Sequence, residues 1–231
     1  MIKAVFFDLY HTLIHYHPPR EEVLSRSLAR IGINVRPADL RRSIIVGDEF
    51  FYRENARKGL SKRTEGETQD MWQEYEAVVL KDAGIAPTPE LIASLLGDMQ
   101  QTPFERVLFS DVLPALEALS KRGFKLGLVS NVDKDIRPLL GKLGVARFLD
   151  VVLTSKDAGV TKPEPLIFLA AVSRAGVMPA ESLYVGDQYH IDVLGARGAG
   201  LQALLLDRGG SFPEVPARDK IKGLDELRGR V

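Results

Sequence analysis

The sequence predicts an α/β fold in which a doubly wound, Rossmann-like parallel sheet carries an all-helical insert. Short apolar runs without polar alternation recur along the chain, as expected of strands that helices cover on both faces, and amphipathic segments separate them. The stretch 17–103, in contrast, holds helical patterns and no convincing strand. We therefore expect a core domain and an inserted helical domain.

Five apolar runs are the predicted strands of the core. They are short, and their apolar residues are contiguous, which is typical of strands that are buried on both faces. The runs are 3–7, 124–130, 151–153, 182–186 and 202–206.

Helical patterns lie between these runs, and each is followed by a glycine, the residue that most often ends a helix. The third pattern also opens with a proline, which suits a helix start. The segments are 112–122, 136–143 and 163–175. After Asp207, glycines and prolines indicate a loop with one short helix at its end.

Four amphipathic segments fill the insert, separated by breaks that contain glycine or proline. They are 21–31, 38–58, 67–83 and 89–100. The insert begins after the carboxyl end of the first strand, where ligands bind in open α/β sheets. The division predicted is a core of residues 1–16 and 104–231 and a helical cap domain, 17–103, that can cover a ligand site.

The composition excludes several classes of protein. Hydrophobic residues make up 45% of the chain and charged residues 27%, close to an ordinary globular mix. The 31 basic and 31 acidic residues cancel, so no overall field favours nucleic acid or a membrane surface. No cysteine and no long apolar run are present. We expect a cytoplasmic protein without nucleic-acid or membrane partners, and the sequence leaves its oligomeric state open.

Polar residues stand where the predicted strands end. Because parallel strands bring their carboxyl ends to one edge of the sheet, we expect these side chains to converge. Carboxylates there suit Mg²⁺, a serine and the N–H groups of a following helix suit phosphate oxygens, and a lysine pairs with both anions. The residues concerned are Asp8, Ser130, Asn131, Lys162, Asp187 and Asp192.

With these residues in order, the sequence resembles the haloacid dehalogenase-like hydrolase superfamily. The resemblance covers the chain outside the insert, and the helical insert looks like the first cap type of that superfamily. It rests on four motifs: Asp8-x-Tyr10-x-Thr12, Ser130-Asn131, Lys162-Pro163-x-Pro165 and Gly186-Asp187-x-x-x-x-Asp192.

The resemblance implies a chemistry and a set of roles. Asp8 is the expected nucleophile towards a small phosphorylated substrate, forming an aspartyl-phosphate that water cleaves, and Lys162 steadies Asp8 and the charge. The other implied roles are contact with the transferred group for Thr12, Ser130 and Asn131, and a Mg²⁺ site built from Asp8, the Tyr10 carbonyl, Asp187 and Asp192.

Elementary electrostatics agrees with those roles. A carboxylate and a phosphate charge about 4 Å apart repel by roughly 4 kcal/mol at an effective dielectric constant near 20. A divalent cation and a lysine can offset this repulsion, and the motif residues supply both the cation ligands and the lysine.

Tyr10 departs from the phosphatase pattern and leaves alternatives open. Phosphatases of the superfamily carry an aspartate there as general acid and base. A phenol is protonated at neutral pH, so Tyr10 as a catalytic residue can donate a proton to a leaving alkoxide but cannot readily take one from water. L-2-haloacid dehalogenases carry tyrosine at this place, work without metal and have neutral polar groups in the metal-ligand region of the last motif. The acidic last motif favours the phosphatase. A third reading is a catalytically weak protein that binds phosphorylated ligands, and His11 is a further candidate base.

Overall fold

The computed structural model describes residues 1–231 and divides them into two units. One, the α/β unit, consists of Met1–His15 and Val107–Val231, and the other, the helical unit, spans Tyr16–Arg106. No helix in either unit combines the length and the apolar content that crossing a membrane requires.

Six parallel strands form the sheet of the α/β unit, in the order β5-β4-β1-β6-β7-β8. Two further strands, β2 and β3, pair with each other where the chain leaves and re-enters this unit. The strands are Ala4–Phe7 (β1), Ile14–His17 (β2), Glu105–Leu108 (β3), Lys125–Ser130 (β4), Val151–Thr154 (β5), Ser182–Gly186 (β6), Gln202–Leu206 (β7) and Lys220–Ile221 (β8).

Nine α-helices accompany the strands, five of them in the α/β unit. They are Arg20–Arg30 (α1), Pro37–Arg57 (α2), Glu65–Asp82 (α3), Pro89–Gln101 (α4), Val112–Lys121 (α5), Arg137–Lys142 (α6), Ser155–Ala158 (α7), Pro165–Ala175 (α8) and Gly195–Gly198 (α9). The doubly wound parallel sheet and the all-helical insert are as the sequence predicts.

Strand β1 shows why contiguous apolar residues form the centre of this sheet. All four of its residues are buried. Val5 and Phe7 belong to the apolar cluster on one face of the sheet, whereas Ala4 and Phe6 belong to the cluster on the other. Since successive side chains of a strand point to opposite faces, burial on both faces requires an uninterrupted apolar run.

The structure corrects the sequence prediction at several short elements. Strands β2, β3 and β8 were not predicted, because β3 is mostly exposed or half-buried and β8 has only two residues. The tail after Asp207 is not plain loop with a short helix, since β8 lies in it between two 3₁₀ turns, Ala217–Asp219 and Leu224–Gly229. Helix α8 begins two residues later than predicted, at Pro165.

Helices α1 to α4 form the helical unit around their own apolar cluster, which includes Leu28, Leu40 and Leu80. Helix α3 begins at a capping box in which Thr64 accepts from the Glu67 backbone and Glu67 accepts from the Thr64 backbone. Trp72 of α3 stacks on Phe51 of α2, with ring centroids 5.3 Å apart. The aromatic residues therefore contribute to the packing of the unit.

A buried polar cluster joins three helices of this unit. Arg20 binds Asp48 at 2.5 Å and Tyr75 at 3.0 Å, and the Tyr75 hydroxyl donates to Asp48 at 3.0 Å. Glu76 lies beside this group and is 5% exposed. Burial raises the pKa of Glu76 to about 7; Arg20 opposes the rise and Asp48 adds to it.

Glu76 should make the stability of the protein depend on pH. Between pH 4.5, the ordinary value, and about pH 7 the folded chain holds a proton that the unfolded chain has lost. The free energy of unfolding therefore falls as the pH rises through this window. We expect Glu76→Gln to raise the free energy of unfolding by up to about 3 kcal/mol at pH 8, and to change it little at pH 4.5.

Urea unfolding followed by the fluorescence of Trp72, the single tryptophan, measures this effect within the same helix. Glu74→Gln, on an exposed position of α3, is the matched control and should show no difference between the two pH values. An equal gain for Glu76→Gln at both pH values would contradict the account.

Candidate active site

The carboxyl ends of three adjacent strands bring the predicted site residues together. In the sheet register Phe7 of β1 lies beside Leu128 of β4 and Val185 of β6. Asp8 follows β1 directly, and its backbone N–H donates to Val185 at 3.0 Å. The ends of β4 and β6, with Ser130 and Asp187, therefore lie on either side of Asp8.

Lys162 is the centre of the site. Its ammonium nitrogen lies 2.6 Å from Oδ1 of Asp8, 2.6 Å from Oδ1 of Asp192 and 2.9 Å from the Tyr184 hydroxyl. These three partners account for its three N–H donors. The Lys162 side chain is only 3% exposed. An ammonium so placed is fixed in position between two carboxylates.

Burial and charge act in opposite directions on these groups. Burial raises the pKa of Asp8 to about 6, although Lys162 opposes the rise. Burial alone would lower the pKa of Lys162, but Asp192 and Asp8 outweigh it and hold that pKa above its ordinary value. Lys162 is therefore protonated. A further cation near Asp8 would favour the ionised form of the Asp8 carboxyl group.

Asn131 holds the backbone of Lys162. Its side-chain amide donates to the Lys162 carbonyl at 2.9 Å, and its side-chain oxygen accepts from the Lys162 N–H at 2.7 Å. The side chain of Asn131, an expected substrate contact, thus positions the lysine through both its nitrogen and its oxygen. The helix predicted over 136–143 lies at Arg137–Lys142, so its first N–H groups follow Ser130 by several residues in the chain.

The turn after β1 places Thr12 and Tyr10 differently. Thr12 is fully buried, and its hydroxyl donates to Oδ1 of Asp187 at 3.2 Å. The ring of Tyr10 packs, partly buried, against the apolar cluster of the sheet. His11 adopts a left-handed backbone with φ 59°, uncommon outside glycine, and its N–H donates to Ile14. Thr12 thereby links the turn after β1 to the end of β6.

Asp192 closes the site from a π-helical turn, Tyr189–Leu194. Its Oδ1 accepts from Lys162, and its Oδ2 accepts from the backbone N–H of Gln188 at 3.0 Å. A Cβ at position 186 would lie 2.3 Å from the Asp192 carboxyl carbon, so this approach requires Gly186. Both Asp192 oxygens are engaged, which suits an orienting role better than direct metal ligation.

Three carboxylates form the one group in the structure with the spacing of a metal site. Asp8, Asp187 and Asp192 each offer an oxygen, and these atoms lie within 4.8 Å of one another. Together with the single ammonium of Lys162, three carboxylates leave a formal charge of −2. Hard oxygen donors with that charge fit a divalent cation such as Mg²⁺. The histidines of the chain are not part of such a group.

Two residues of this site were not predicted from the sequence. Tyr184 belongs to the buried strand β6, where an aromatic residue is indistinguishable from core. The backbone of Gln188 orients Asp192, and no residue type reveals a backbone contact. A side chain that can form hydrogen bonds, on a buried strand next to a motif, is the feature that could have identified such a residue. In Tyr184 that feature is the hydroxyl group alone.

A family model for haloacid dehalogenase-like hydrolases matches residues 2–200. The chain is 33% identical to the glyceraldehyde 3-phosphate phosphatase of Methanopyrus kandleri over 229 residues, covering 95% of this chain and 90% of that relative.

Two solved structures resemble the chain over nearly its whole length. A HAD phosphatase from Thermococcus onnurineus is 26% identical with a TM-score of 0.58, covering 99% of this chain and 97% of that chain. A 2-haloacid dehalogenase from Pseudomonas syringae pv. Tomato DC3000 is 28% identical with a TM-score of 0.57, with the same coverage. Since the two carry different activities, the choice between them depends on the site.

Proposed function

Because the chain belongs to the haloacid dehalogenase-like hydrolase family, we propose that it is a magnesium-dependent phosphatase of small phosphorylated metabolites. The observation that carries the proposal is the acidic group of Asp8, Asp187 and Asp192, whose formal charge with Lys162 is −2. A haloacid carboxylate would be repelled by such a site, whereas a divalent cation would be attracted to it. A phosphate needs that cation, and a haloacid does not.

Asp8 is the nucleophile in this proposal. Lys162 occupies one of its oxygens, and the other attacks the phosphorus. The bond from phosphorus to the leaving oxygen breaks as the bond to Asp8 forms, giving an aspartyl-phosphate and an alkoxide that takes a proton from solvent water. A water molecule then attacks the phosphorus as the bond from phosphorus to Asp8 breaks, which releases phosphate, restores the Asp8 carboxylate and returns a proton to solvent.

The remaining residues of the site would hold the metal ion and the phosphoryl group. Asp8, Asp187 and the Tyr10 carbonyl would hold Mg²⁺, with Asp192 orienting Lys162 beside it. When bound, the ion would partly neutralise the negative charge of the phosphoryl group. Ser130, buried at the end of β4, and Thr12 are the proposed contacts of the transferred group. We assign to the helical unit the role of the cap that selects the substrate.

The relative that acts on glyceraldehyde 3-phosphate supports a small phosphorylated substrate. The proposed substrate is a class, small phosphate monoesters, because no residue described above distinguishes one sugar phosphate from another. A cytoplasmic location and the lack of a nucleic-acid partner stay predictions from the composition.

A panel of phosphate monoesters, with p-nitrophenyl phosphate included, tests the proposal in the presence of Mg²⁺ and of EDTA. We expect turnover that needs the metal. Absence of turnover on the whole panel, or equal turnover in EDTA, would overturn it.

Tyr10 gives a sharper prediction about the second step. Without a carboxylate at this position the attacking water lacks a general base, so the aspartyl-phosphate should accumulate. We expect a burst of p-nitrophenolate stoichiometric with the enzyme, and we expect Tyr10→Asp to remove the burst and raise steady turnover at least about tenfold. Stopped-flow absorbance measures both. Tyr10→Phe is the control and should keep the burst; a Tyr10→Asp enzyme slower than the parent would count against this role.

A dehalogenase is the second candidate, favoured by Tyr10 and by the likeness to the Pseudomonas syringae enzyme. It predicts halide release from short 2-haloacids in EDTA. Failure to release chloride or bromide from several of them would leave this candidate without support.

A further inference from the structure

We propose that Tyr184 is a positioning residue that fixes the ammonium of Lys162 between the nucleophile and Asp192. For its effect on turnover the inference rests on the proposed function. The Tyr184 hydroxyl accepts from Lys162 at 2.9 Å and donates to the Val129 carbonyl at 3.0 Å. Oδ1 of Asp192 is a second, longer acceptor for the hydroxyl, at 3.4 Å. Because the shorter hydrogen bond, to Val129, engages the proton, a lone pair of the hydroxyl faces the ammonium.

A neutral acceptor suits this third place around the ammonium. Lys162 already binds two carboxylates, and a third would add charge to a site that must receive an anion. Without any acceptor, one N–H of a buried ammonium would be left unsatisfied, which is costly. A tyrosine hydroxyl satisfies the third N–H and adds no charge.

The ring holds the hydroxyl in place. Tyr184 is fully buried, and Phe168 packs edge-on against it with ring centroids 5.1 Å apart. In the sheet register it lies beside Phe6, two residues before the nucleophile. The Lys162 nitrogen also lies 5.5 Å from the centre of the ring. Tyr184→Phe therefore removes one oxygen atom and keeps the ring, its packing and its contact with the cation.

The consequence for catalysis concerns attack by Asp8 more than substrate binding. Asn131 fixes the backbone of Lys162, and Tyr184 fixes the other end of the same side chain. With the hydroxyl removed, the ammonium can move between Asp8 and Asp192, and the attacking carboxylate loses its fixed orientation. We expect Tyr184→Phe to slow phosphorylation of Asp8 about tenfold and to leave KM within about twofold of the parent value.

The matched control is Tyr75→Phe, which removes another buried hydroxyl bound to charged groups, in the helical unit. It should lower stability to urea without slowing phosphorylation. Rapid-quench measurement of phosphoenzyme formation and urea unfolding are made on both variants. A Tyr184→Phe enzyme that phosphorylates at the parent rate, whatever its stability, would overturn the proposal.

A second measurement needs no substrate. In protein labelled with ¹⁵N at lysine Nζ, an ammonium with three buried partners should exchange its protons slowly and give a resolved signal with an Overhauser contact to the Tyr184 ring. We expect this signal in the parent and in Tyr75→Phe, and its loss in Tyr184→Phe if that variant is folded. A parent without it, or a folded Tyr184→Phe that keeps it unchanged, would overturn the proposal even if no phosphate ester were hydrolysed.

Discussion

Replacement of Asp8 by asparagine should lower kcat roughly 10⁴-fold or more, the size of effect seen when a covalent nucleophile is removed. The asparagine amide has the shape of the carboxylate but cannot form the aspartyl-phosphate that water then cleaves. Because burial already disfavours the charged form of Asp8, we expect the variant to fold. Steady-state hydrolysis of p-nitrophenyl phosphate in Mg²⁺ measures the loss.

Asp39→Asn is the control for this prediction. Asp39 lies on an exposed part of the helical unit, where it pairs with Arg36 at 2.7 Å. Its replacement should leave kcat unchanged. An Asp8→Asn enzyme that keeps more than a tenth of the parent kcat would remove Asp8 from the role of nucleophile.

Replacement of Lys162 by methionine should reduce both activity and stability. The change leaves the carboxylates of Asp8 and Asp192 buried without their shared cation, and breaking a buried ion pair in this way typically costs about 3–5 kcal/mol. We also expect kcat to fall roughly 10²–10³-fold, because the charge repulsion between Asp8 and the phosphate is no longer offset by the ammonium.

The loss of stability in Lys162→Met should depend on pH. Without the ammonium, burial raises the carboxylate pKa further, so the folded protein takes up protons that the unfolded chain does not hold. The free energy of unfolding should therefore recover as the pH falls, beginning above about pH 6, the pKa of Asp8 in the parent, and continuing towards its ordinary value, 3.8. Urea unfolding at several pH values measures this recovery.

Two further variants separate the effect of Lys162→Met on stability from its effect on activity. The double variant Lys162→Met with Asp192→Asn removes one of the stranded carboxylates and should regain stability without regaining activity. Lys156→Met, on an exposed position of α7, should change neither quantity. A Lys162→Met protein as stable as the parent at pH 8 would contradict the account of the buried pair.

The sequence predicts the centre of this molecule well because the physics there is simple. Strands β1, β4 and β6 are buried on both faces, which requires contiguous apolar residues, and the motif residues stand at their carboxyl ends. Several helices also end where predicted because a glycine in the left-handed region follows them, such as Gly123 with φ 82° and Gly176 with φ 67°.

The parts that were missed have weaker signals. Strand β8 has too few residues to show a strand pattern in the sequence. The π-helical turn that carries Asp192 has no distinctive composition. The partners of the motif residues were also beyond the sequence. That Asn131 binds the Lys162 backbone and Thr12 binds Asp187 depends on side-chain directions that only the folded chain sets.

The most direct test of the central claim is the mass of the enzyme after it is mixed with p-nitrophenyl phosphate and quenched in acid. In Mg²⁺ we expect the chain to gain one phosphoryl group, located by digestion on the peptide that contains Asp8, and in EDTA we expect no gain. Release of phosphate with no adduct, an adduct on another residue, or equal labelling in EDTA would contradict a metal-assisted attack by Asp8.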